Sequence, residues 1–404
     1  MARAEQPGKR SRVSLAACAR YDFPALHEAV ERACMPVLAG HPRLKRGASV
    51  LLKINLLSAN KGPDKPVNTH PSFIRSLATL FQRKFDATVY VGDSTSSFSK
   101  GSTDKAFKNM GIDLLAAELG LRIMNVDTEE PVVLKNGANP LIKEIAVPKK
   151  LREIDIVVSV PKLKTHELTG FTGAVKNMLG CVPGKMKRDV HVKAPTSRLM
   201  AEALCDVYSF VRPDFAVMDG VVGMQGSGPA AGEPAMTGLI AASADPVSLD
   251  AVVTHLLGYG EGEVLTTVRA HARGLGTGDL RMIEVVGETL EACRRPDFRK
   301  PSNRTKLLFE RFVPPGLIGA AIERTVSFTP RIDPAKCVRC FECVKGCPAH
   351  CIPDVAGKLV IDTKRCIECF CCQEVCPANA VTVRPPLTKI MLGKIQQFIE
   401  AISG

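Results

Sequence analysis

Cys337-Val-Arg-Cys340-Phe-Glu-Cys343-Val-Lys-Gly-Cys347-Pro348 is repeated, 29 residues on, by Cys366-Ile-Glu-Cys369-Phe-Cys-Cys372-Gln-Glu-Val-Cys376-Pro377. Both runs read C-x2-C-x2-C-x3-C-P, and an offset this regular marks two copies of one unit. A [4Fe–4S] cube needs four soft thiolates, one at each iron. Three cysteines on one turning loop cap three corners, and the fourth reaches the other cube. The spacing therefore predicts that Cys337, Cys340, Cys343 and Cys376 hold one cluster, and Cys366, Cys369, Cys372 and Cys347 the second. A zinc site would need only two C-x2-C pairs. A disulfide framework would call for a secreted chain, and nothing else in the sequence points there. Cys351 and Cys371 fall outside the pattern and are expected as buried thiols packed beside the clusters.

The remainder of the chain is too long for a single small unit. With 404 residues, two or three domains are expected. Hydrophobic content of 45% and charged content of 24% fit a soluble globular protein. The net charge of +13 falls to about +9 once two oxidised clusters and their deprotonated thiols are counted. A basic surface suits an anionic substrate or an acidic redox partner protein. Nucleic acid is unlikely as a partner: no base-reading motif accompanies the charge, Trp is absent and only four Tyr occur. The opening twenty residues are too short in apolar run for a signal peptide, and no stretch is long enough to span a bilayer. Fifteen cysteines, eight of them expected ligands, fit a reducing cytoplasm.

Upstream of the cysteines the chain alternates apolar strands with amphipathic helices. Strands are expected at Val13–Cys18, Ser49–Asn55, Ala87–Gly92, Leu121–Val126, Ile154–Val160, Phe215–Asp219, Gly238–Ala242 and Met282–Val286. Helices are expected at Phe23–Leu38, from Thr69 or Ser72 as cap, at Thr103–Leu119, Thr196–Phe210, Asp245–Leu257 and Leu265–Ala272. This pattern predicts an α/β fold, a mainly parallel sheet with helices on both faces, spanning residues 13–293. Residues 294–330 read as a basic, Pro-containing linker around an apolar piece, Phe312–Ile322. Residues 331–386 form the small α+β two-cluster unit. Residues 387–404 have the spacing of an amphipathic helix.

In such folds ligands gather beyond the carboxyl ends of the strands. That rule selects Lys53 and Asn55, Asp93 and Ser94, Lys162, Lys164 and His166, and Asp219. Pro161–Gly184 is the densest polar stretch. Its glycines admit close approach, and Lys162, Lys164, Lys176 and Asn177 suit a phosphate or carboxylate. His166 and His70, with Asp93 or Asp219, are candidates for proton handling or for an additional metal or organic cofactor. A second glycine-rich stretch, Asp219–Gly232, matches neither nucleotide fingerprint and reads as a flap or a flexible connection.

The two C-P endings are similar to those of bacterial ferredoxins. Residues 13–290 resemble a widespread prokaryotic family, domain of unknown function 362. The segments that carry the resemblance are Leu52-Lys-Ile-Asn-Leu56, Thr69-His-Pro71, Val91-Gly-Asp-Ser94, Val160-Pro-Lys-Leu-Lys-Thr-His166, Thr172-Gly-Ala-Val-Lys-Asn177, Met218-Asp-Gly220, Gly226-Ser-Gly-Pro229 and Ala244-Asp-Pro-Val247. The resemblance implies a domain of that family fused to a two-cluster ferredoxin unit, and no settled reaction. The expected function is an oxidoreductase in which two [4Fe–4S] clusters relay electrons to or from an anionic substrate on the α/β domain. The alternative is a non-catalytic electron-transfer or assembly subunit that docks an acidic partner.

Overall fold

Ile156-Val-Val-Ser-Val160 is buried along its whole length, as a β-branched strand covered on both faces must be. It lies near the middle of an 11-stranded sheet. The computed structural model describes residues 10–301 and 328–384, except Phe98. In chain order the first elements are β1 (Ser11–Ala17), α1 (Ala25–Leu38), β2 (Ser49–Ile54), α2 (Pro71–Phe85), β3 (Thr88–Asp93), α3 (Ser102–Asn109), α4 (Ile112–Leu119) and β4 (Arg122–Asn125). A hairpin of β5 (Pro131–Lys135) and β6 (Glu144–Pro148) precedes β7 (Ile156–Val160). Then come β8 (Lys162–His166), β9 (Gly170–Thr172), α5 (Ala174–Asn177), α6 (Gly184–Lys193), α7 (Ser197–Phe210), β10 (Phe215–Gln225), β11 (Glu233–Ala235), β12 (Leu239–Ser243), α8 (Pro246–Leu256), α9 (Leu265–Ala272), β13 (Ile283–Gly287) and α10 (Leu290–Cys293).

The sheet order is β13-β1-β12-β10-β7-β2-β3-β4, with β8, β9 and β11 added beside β10. Most neighbours are parallel, but β12 runs antiparallel to both β1 and β10. Alternation along each strand separates the two faces. Val50, Leu52 and Ile54 enter the core formed with α1, α2, α3 and α4. Leu51 enters the opposite core, under α5, α6 and α7, and α8 covers Val13 and Leu15. The α/β layering expected from the sequence is present.

Several local expectations are corrected. The single helix expected at Thr103–Leu119 is two, because Gly111 takes a left-handed φ of 66° between α3 and α4. The cap of α2 is neither Thr69 nor Ser72 but His70, whose Nδ1 accepts from the Ser72 N–H. Thr69 is engaged elsewhere: its Oγ1 accepts from Asn55 N and donates to Val160 O. The polar stretch Pro161–Gly184 folds as β8, β9, α5 and a 3₁₀ turn, with most of its side chains buried. Much of the second glycine-rich stretch is not a flap, because β10 runs on to Gln225. A Cβ on Gly220 or Gly223 would meet Leu163 of β8 at 3.0 or 2.7 Å.

The cysteine unit comprises β14 (Thr329–Ile332), α11 (Glu342–Lys345), β15 (Asp354–Val355), β16 (Lys358–Leu359), α12 (Cys371–Glu374) and β17 (Val381–Arg384). The 29-residue repeat is visible in its backbone. Arg339, Phe341 and His350 take left-handed φ of 51°, 61° and 48°; Glu368, Phe370 and Asn379 take 53°, 60° and 50°. The strands are exchanged between repeats. β17, after Cys376, pairs with β14, before Cys337; β15, after Cys347, pairs with β16, before Cys366. The apolar piece Phe312–Ile322 and the helix expected at 387–404 lie outside the described residues, as does most of the basic stretch 294–330.

Candidate functional site

β2 and β3 end side by side, and Lys53 and Asp93 near those ends form an ion pair. Lys53 and Asp93 are 0% and 2% exposed, with Nζ 2.9 Å from Oδ1. Asp93 Oδ2 also accepts from Leu56 N at 2.6 Å, and Oδ1 from Ser94 N at 2.7 Å. Burial raises the Asp93 pKa, opposed by Lys53 and Lys187. Gly180 closes over the pair: a Cβ there would fall 2.1 Å from Asp93 Oδ1 and 2.5 Å from Lys53 Nζ.

The segment Thr172–Asn177 is shaped by the carboxylate beneath it. Asp250 accepts from Ala174 N at 2.6 Å and Val175 N at 3.1 Å, capping α5. Gly173 is required there, because a Cβ would lie 2.2 Å from Asp250 Oδ1. So held, α5 presents Lys176 and Asn177 toward the ends of β2 and β3. Asn177 donates to Lys53 O (2.9 Å) and Ser159 Oγ (3.1 Å), and its Oδ1 lies 3.4 Å from Asn55 Nδ2.

A cavity of about 60 Å³ opens between these residues and the cysteine unit. Asn55, Asp93, Thr172, Lys176, Asn177 and Lys187 line one side, with Lys53 directly behind; Cys371 and Glu374 of α12 close the other. Lys187 donates to Ser94 O, Ser94 Oγ and Thr95 O. Lys176 makes no direct hydrogen bond or ion pair among the described residues; burial lowers its pKa, and Glu374 partly restores it.

His166 and Lys164 stand beside this cavity. His166 Nδ1 accepts from Leu168 N at 3.1 Å, which leaves the ring proton on Nε2 in the neutral form. Nε2 lies 3.2 Å from Glu374 Oε1, off the line of a hydrogen bond. Burial, then the Lys176 charge, lowers His166 to about 3. Burial opposes the shift of Glu374, but His166 and Lys176 hold its carboxyl down at about 2. Lys164 donates to Val67 O at 2.7 Å; burial and Lys176 push its pKa well down.

Lys162, Asp219 and His70 are brought together elsewhere, around Tyr21. Lys162 Nζ sits 2.9 Å from Asp219 Oδ2 and contacts Tyr21 Oη, which donates to Asp219 Oδ1 at 2.7 Å. His70 stacks on Tyr21 at 3.7 Å, its backbone N–H donates to Asp219 Oδ2, and burial lowers it to about 4. The Lys162 charge is thus neutralised by Asp219, and His70 and His166 do not share a site. No three His, Cys, Asp or Glu side chains converge on one metal position among the described residues.

Sequence reasoning missed the site places of Tyr21, Thr172, Lys187, His191 and Glu374, and that of Cys371, which it expected only as a buried thiol beside the clusters. A signal for two of them was present. Aligned at 29 residues, Glu342, Val344 and Lys345 of the first run are replaced by Cys371, Gln373 and Glu374 in the second. The broken positions form the docked face. Phe370 is 1% exposed in the core under α7, while its counterpart Phe341 is 36% exposed. Further contacts fix the unit: Lys61 Nζ donates to Asn379 Oδ1 at 2.8 Å, and Ser99 Oγ to Glu342 Oε2 at 2.9 Å.

Most of the pattern cysteines gather in the core of the small unit. The Cys343 thiol is pushed up to about 11 by burial and by Cys376, Cys340 and Cys337 around it. Cys372 is raised by burial and by Cys369, Cys366, Cys343 and Cys347, so its thiol neighbours come from both runs and both sets. Cys351 and Cys371 are buried, with Cys351 Sγ 3.5 Å from Cys347 Sγ.

Fold and site together define an α/β domain carrying a two-cluster iron–sulfur unit on its carboxyl edge. Residues 50–255 match the family described as domain of unknown function (DUF362), and residues 329–377 match a 4Fe–4S dicluster domain. The chain belongs to the DUF362 family, with the dicluster domain at its C-terminal side, and is an iron–sulfur protein. It is 32% identical over 233 residues, 57% of this chain and 70% of the other, to "Thylakoid-associated protein sll1697" of Synechocystis sp.. No helix among the described residues is long and apolar enough to cross a membrane. A solved structure, the lactate racemase apoprotein from Thermoanaerobacterium thermosaccharolyticum, is similar at 14% identity and a TM-score of 0.36. That match covers 52% of this chain and half (50%) of the other.

Proposed function

We propose that this protein is an oxidoreductase in which Cys337, Cys340, Cys343 and Cys376 hold one [4Fe–4S] cluster and Cys366, Cys369, Cys372 and Cys347 the second. The substrate is a small anion held in the cavity between α12 and the ends of β2 and β3. When bound, the clusters supply transfer of single electrons. The exchanged strands support the ligand sets, since β17 carries Cys376 back to the first run and β15 carries Cys347 toward the second.

The single observation that carries the reading is that the cavity has walls from both units. The two runs differ in exposure: Cys340 is exposed, whereas Cys369 and Cys372 are buried beside Cys371, which faces the cavity. The first run is then the side met by a redox partner and the second the side met by substrate. Lys176 and Asn55 hold the anion, Asn177 fixes the inner wall through Lys53 O and Ser159 Oγ, Asp93 fixes Lys53, and the neutral His166 stands beside Glu374. Residues 294–330 serve as the connection between the two units.

The test uses anaerobically purified, chemically reduced protein mixed with a panel of small anions. Reoxidation by one class of anion, lost in Lys176→Ala with iron and sulfide content unchanged, supports the enzyme. Reoxidation only by an acidic protein partner, at the same rate in Lys176→Ala, replaces it with the carrier reading.

A further inference from the structure

We infer that the cavity between α12 and α5 is a binding site for a small monovalent oxyanion, a carboxylate the size of formate or acetate. This rests on the cavity assignment proposed above and adds size, charge and donors to it. Size comes first. An engineered cavity of about 150 Å³ holds one benzene, and a buried water needs roughly 10–15 Å³. The 60 Å³ here therefore admits a few heavy atoms and excludes a nucleotide or a sugar phosphate.

Charge comes second. Lys176 and Lys187 line the cavity and Lys53 stands behind it, against Asp93 and Glu374 on the same walls. Lys53 is paired with Asp93. A loaded second cluster with its thiolates adds about two negative charges beside the site. A divalent anion is therefore disfavoured more strongly than a monovalent one.

Donors come third. Thr172 lies on the cavity wall, is 2% exposed, and its Oγ1 has no hydrogen-bond partner. Buried hydroxyls are normally satisfied, so an orphan on a cavity wall points to a ligand. Asn55, also on the wall, turns one amide hydrogen to Asn177 Oδ1 and keeps the other as a second donor, while its Oδ1 is an acceptor without a partner. Lys176, without a direct partner, supplies the third donor and the charge. Lys187 spends its protons on Ser94 and Thr95 and contributes charge alone.

A competing role for Lys176 is to balance the negative charge of the second thiolate set. Calorimetric titration of oxidised, cluster-loaded protein separates the two. Formate and acetate are the probes, with AMP and inorganic sulfate as controls. The site predicts saturable formate or acetate binding, no AMP binding and weaker sulfate binding. Lys176→Met weakens formate by about ten-fold or more, Thr172→Val by roughly five-fold, and Lys176→Arg far less than Met. No binding of either carboxylate, equal binding of AMP, or unchanged formate affinity in Lys176→Met with a shifted reduction potential overturns it. If Lys176→Met fails to load iron, Thr172→Val and Lys176→Arg carry the same test. Formate binding without electron exchange in either direction between any small anion and the clusters would leave this site standing and remove the electron-relay reading. Reoxidation by a larger anion without carboxylate binding would do the reverse.

Discussion

Replacing Lys53 with Met removes one partner of an ion pair that is almost wholly enclosed. Nζ also donates to Ile54 O at 2.6 Å and approaches Asn177 Oδ1 at 3.3 Å. Breaking a buried pair from one side costs about 3–5 kcal/mol, because the other charge is left without compensation. An α/β domain of roughly 290 residues has an unfolding entropy near 0.6 kcal/mol/K, so the loss is about 5–8 °C in melting temperature. The cost depends on pH. Burial already raises the Asp93 carboxyl, and Lys53 is the first group pulling it down. Without Lys53 its folded pKa climbs further above the unfolded value of 3.8. The folded chain then binds more protons than the unfolded one over a wider window, and stability is lost as pH rises through that window. The deficit of Lys53→Met relative to wild type therefore grows with pH above the wild-type Asp93 titration. Lys53→Met with Asp93→Asn removes the stranded charge and recovers much of the loss. The assay is far-UV circular dichroism melting of anaerobic, cluster-loaded protein at matched iron content. A loss under about 2 °C, or a double variant no more stable than Lys53→Met, would refute the reasoning.

Phe370→Ala should cost about 3–5 kcal/mol and loosen the docked unit, while Phe341→Ala at the equivalent repeat position should cost little; limited proteolysis and melting compare them. Cys372→Ser should lose about half the iron, whereas Cys371→Ser, outside the ligand pattern, should keep about eight irons per chain by elemental analysis. His166, lowered to about 3, binds fewer protons folded than unfolded between there and 6.5. Its contribution is present above pH 6.5 and lost as pH falls toward 3, so the melting temperature should drop over that range and His166→Gln should flatten the drop. Gly173→Ala should expel Asp250 from the α5 cap and cost about 1–3 kcal/mol by overpacking alone, read as a lower melting temperature.

The layered fold was legible because its carriers are local. Strands such as Ile156–Val160 are apolar throughout, helices carry stripes such as Phe73, Leu77 and Phe81, and the two signals alternate. The mainly parallel direction was legible in that alternation, but the reversal of β12 was not, since a period of two is the same either way; only the sheet shows β12 running against its neighbours. The break at Gly111 hid because a lone glycine also sits inside helices, where it costs only about 1 kcal/mol. Lys53, Asn55 and Asp93 were found by the rule that sites lie beyond strand ends, and Lys176 and Asn177 by the dense polar stretch that follows β7. Lys162 and Asp219 satisfied the same rule and proved to be partners of each other, around a tyrosine whose role depends wholly on tertiary contact.

The departures within the repeat are the step that sequence reading left unused. Two copies of one cluster-binding unit need the same cysteines, turns and left-handed residues, and those are kept: Phe341 and Phe370 take φ of 61° and 60°. What differs between the copies answers to something other than the clusters. Glu342, Val344 and Lys345 are accessible or partly so, whereas Cys371, Gln373 and Glu374 are all buried. A carboxylate in that setting needs a cation, and Lys176 and His166 of the α/β domain stand beside Glu374. Exchanging the two residues, Lys345→Glu with Glu374→Lys, keeps composition and net charge but sets a lysine against Lys164 and Lys176. Docking should fail in that variant, seen as an expanded particle in small-angle scattering, while both cysteine sets still load iron. An unchanged particle would mean that Phe370 and the Lys61–Asn379 and Ser99–Glu342 contacts hold the units together without Glu374, and that Glu374 belongs to the site rather than to the interface.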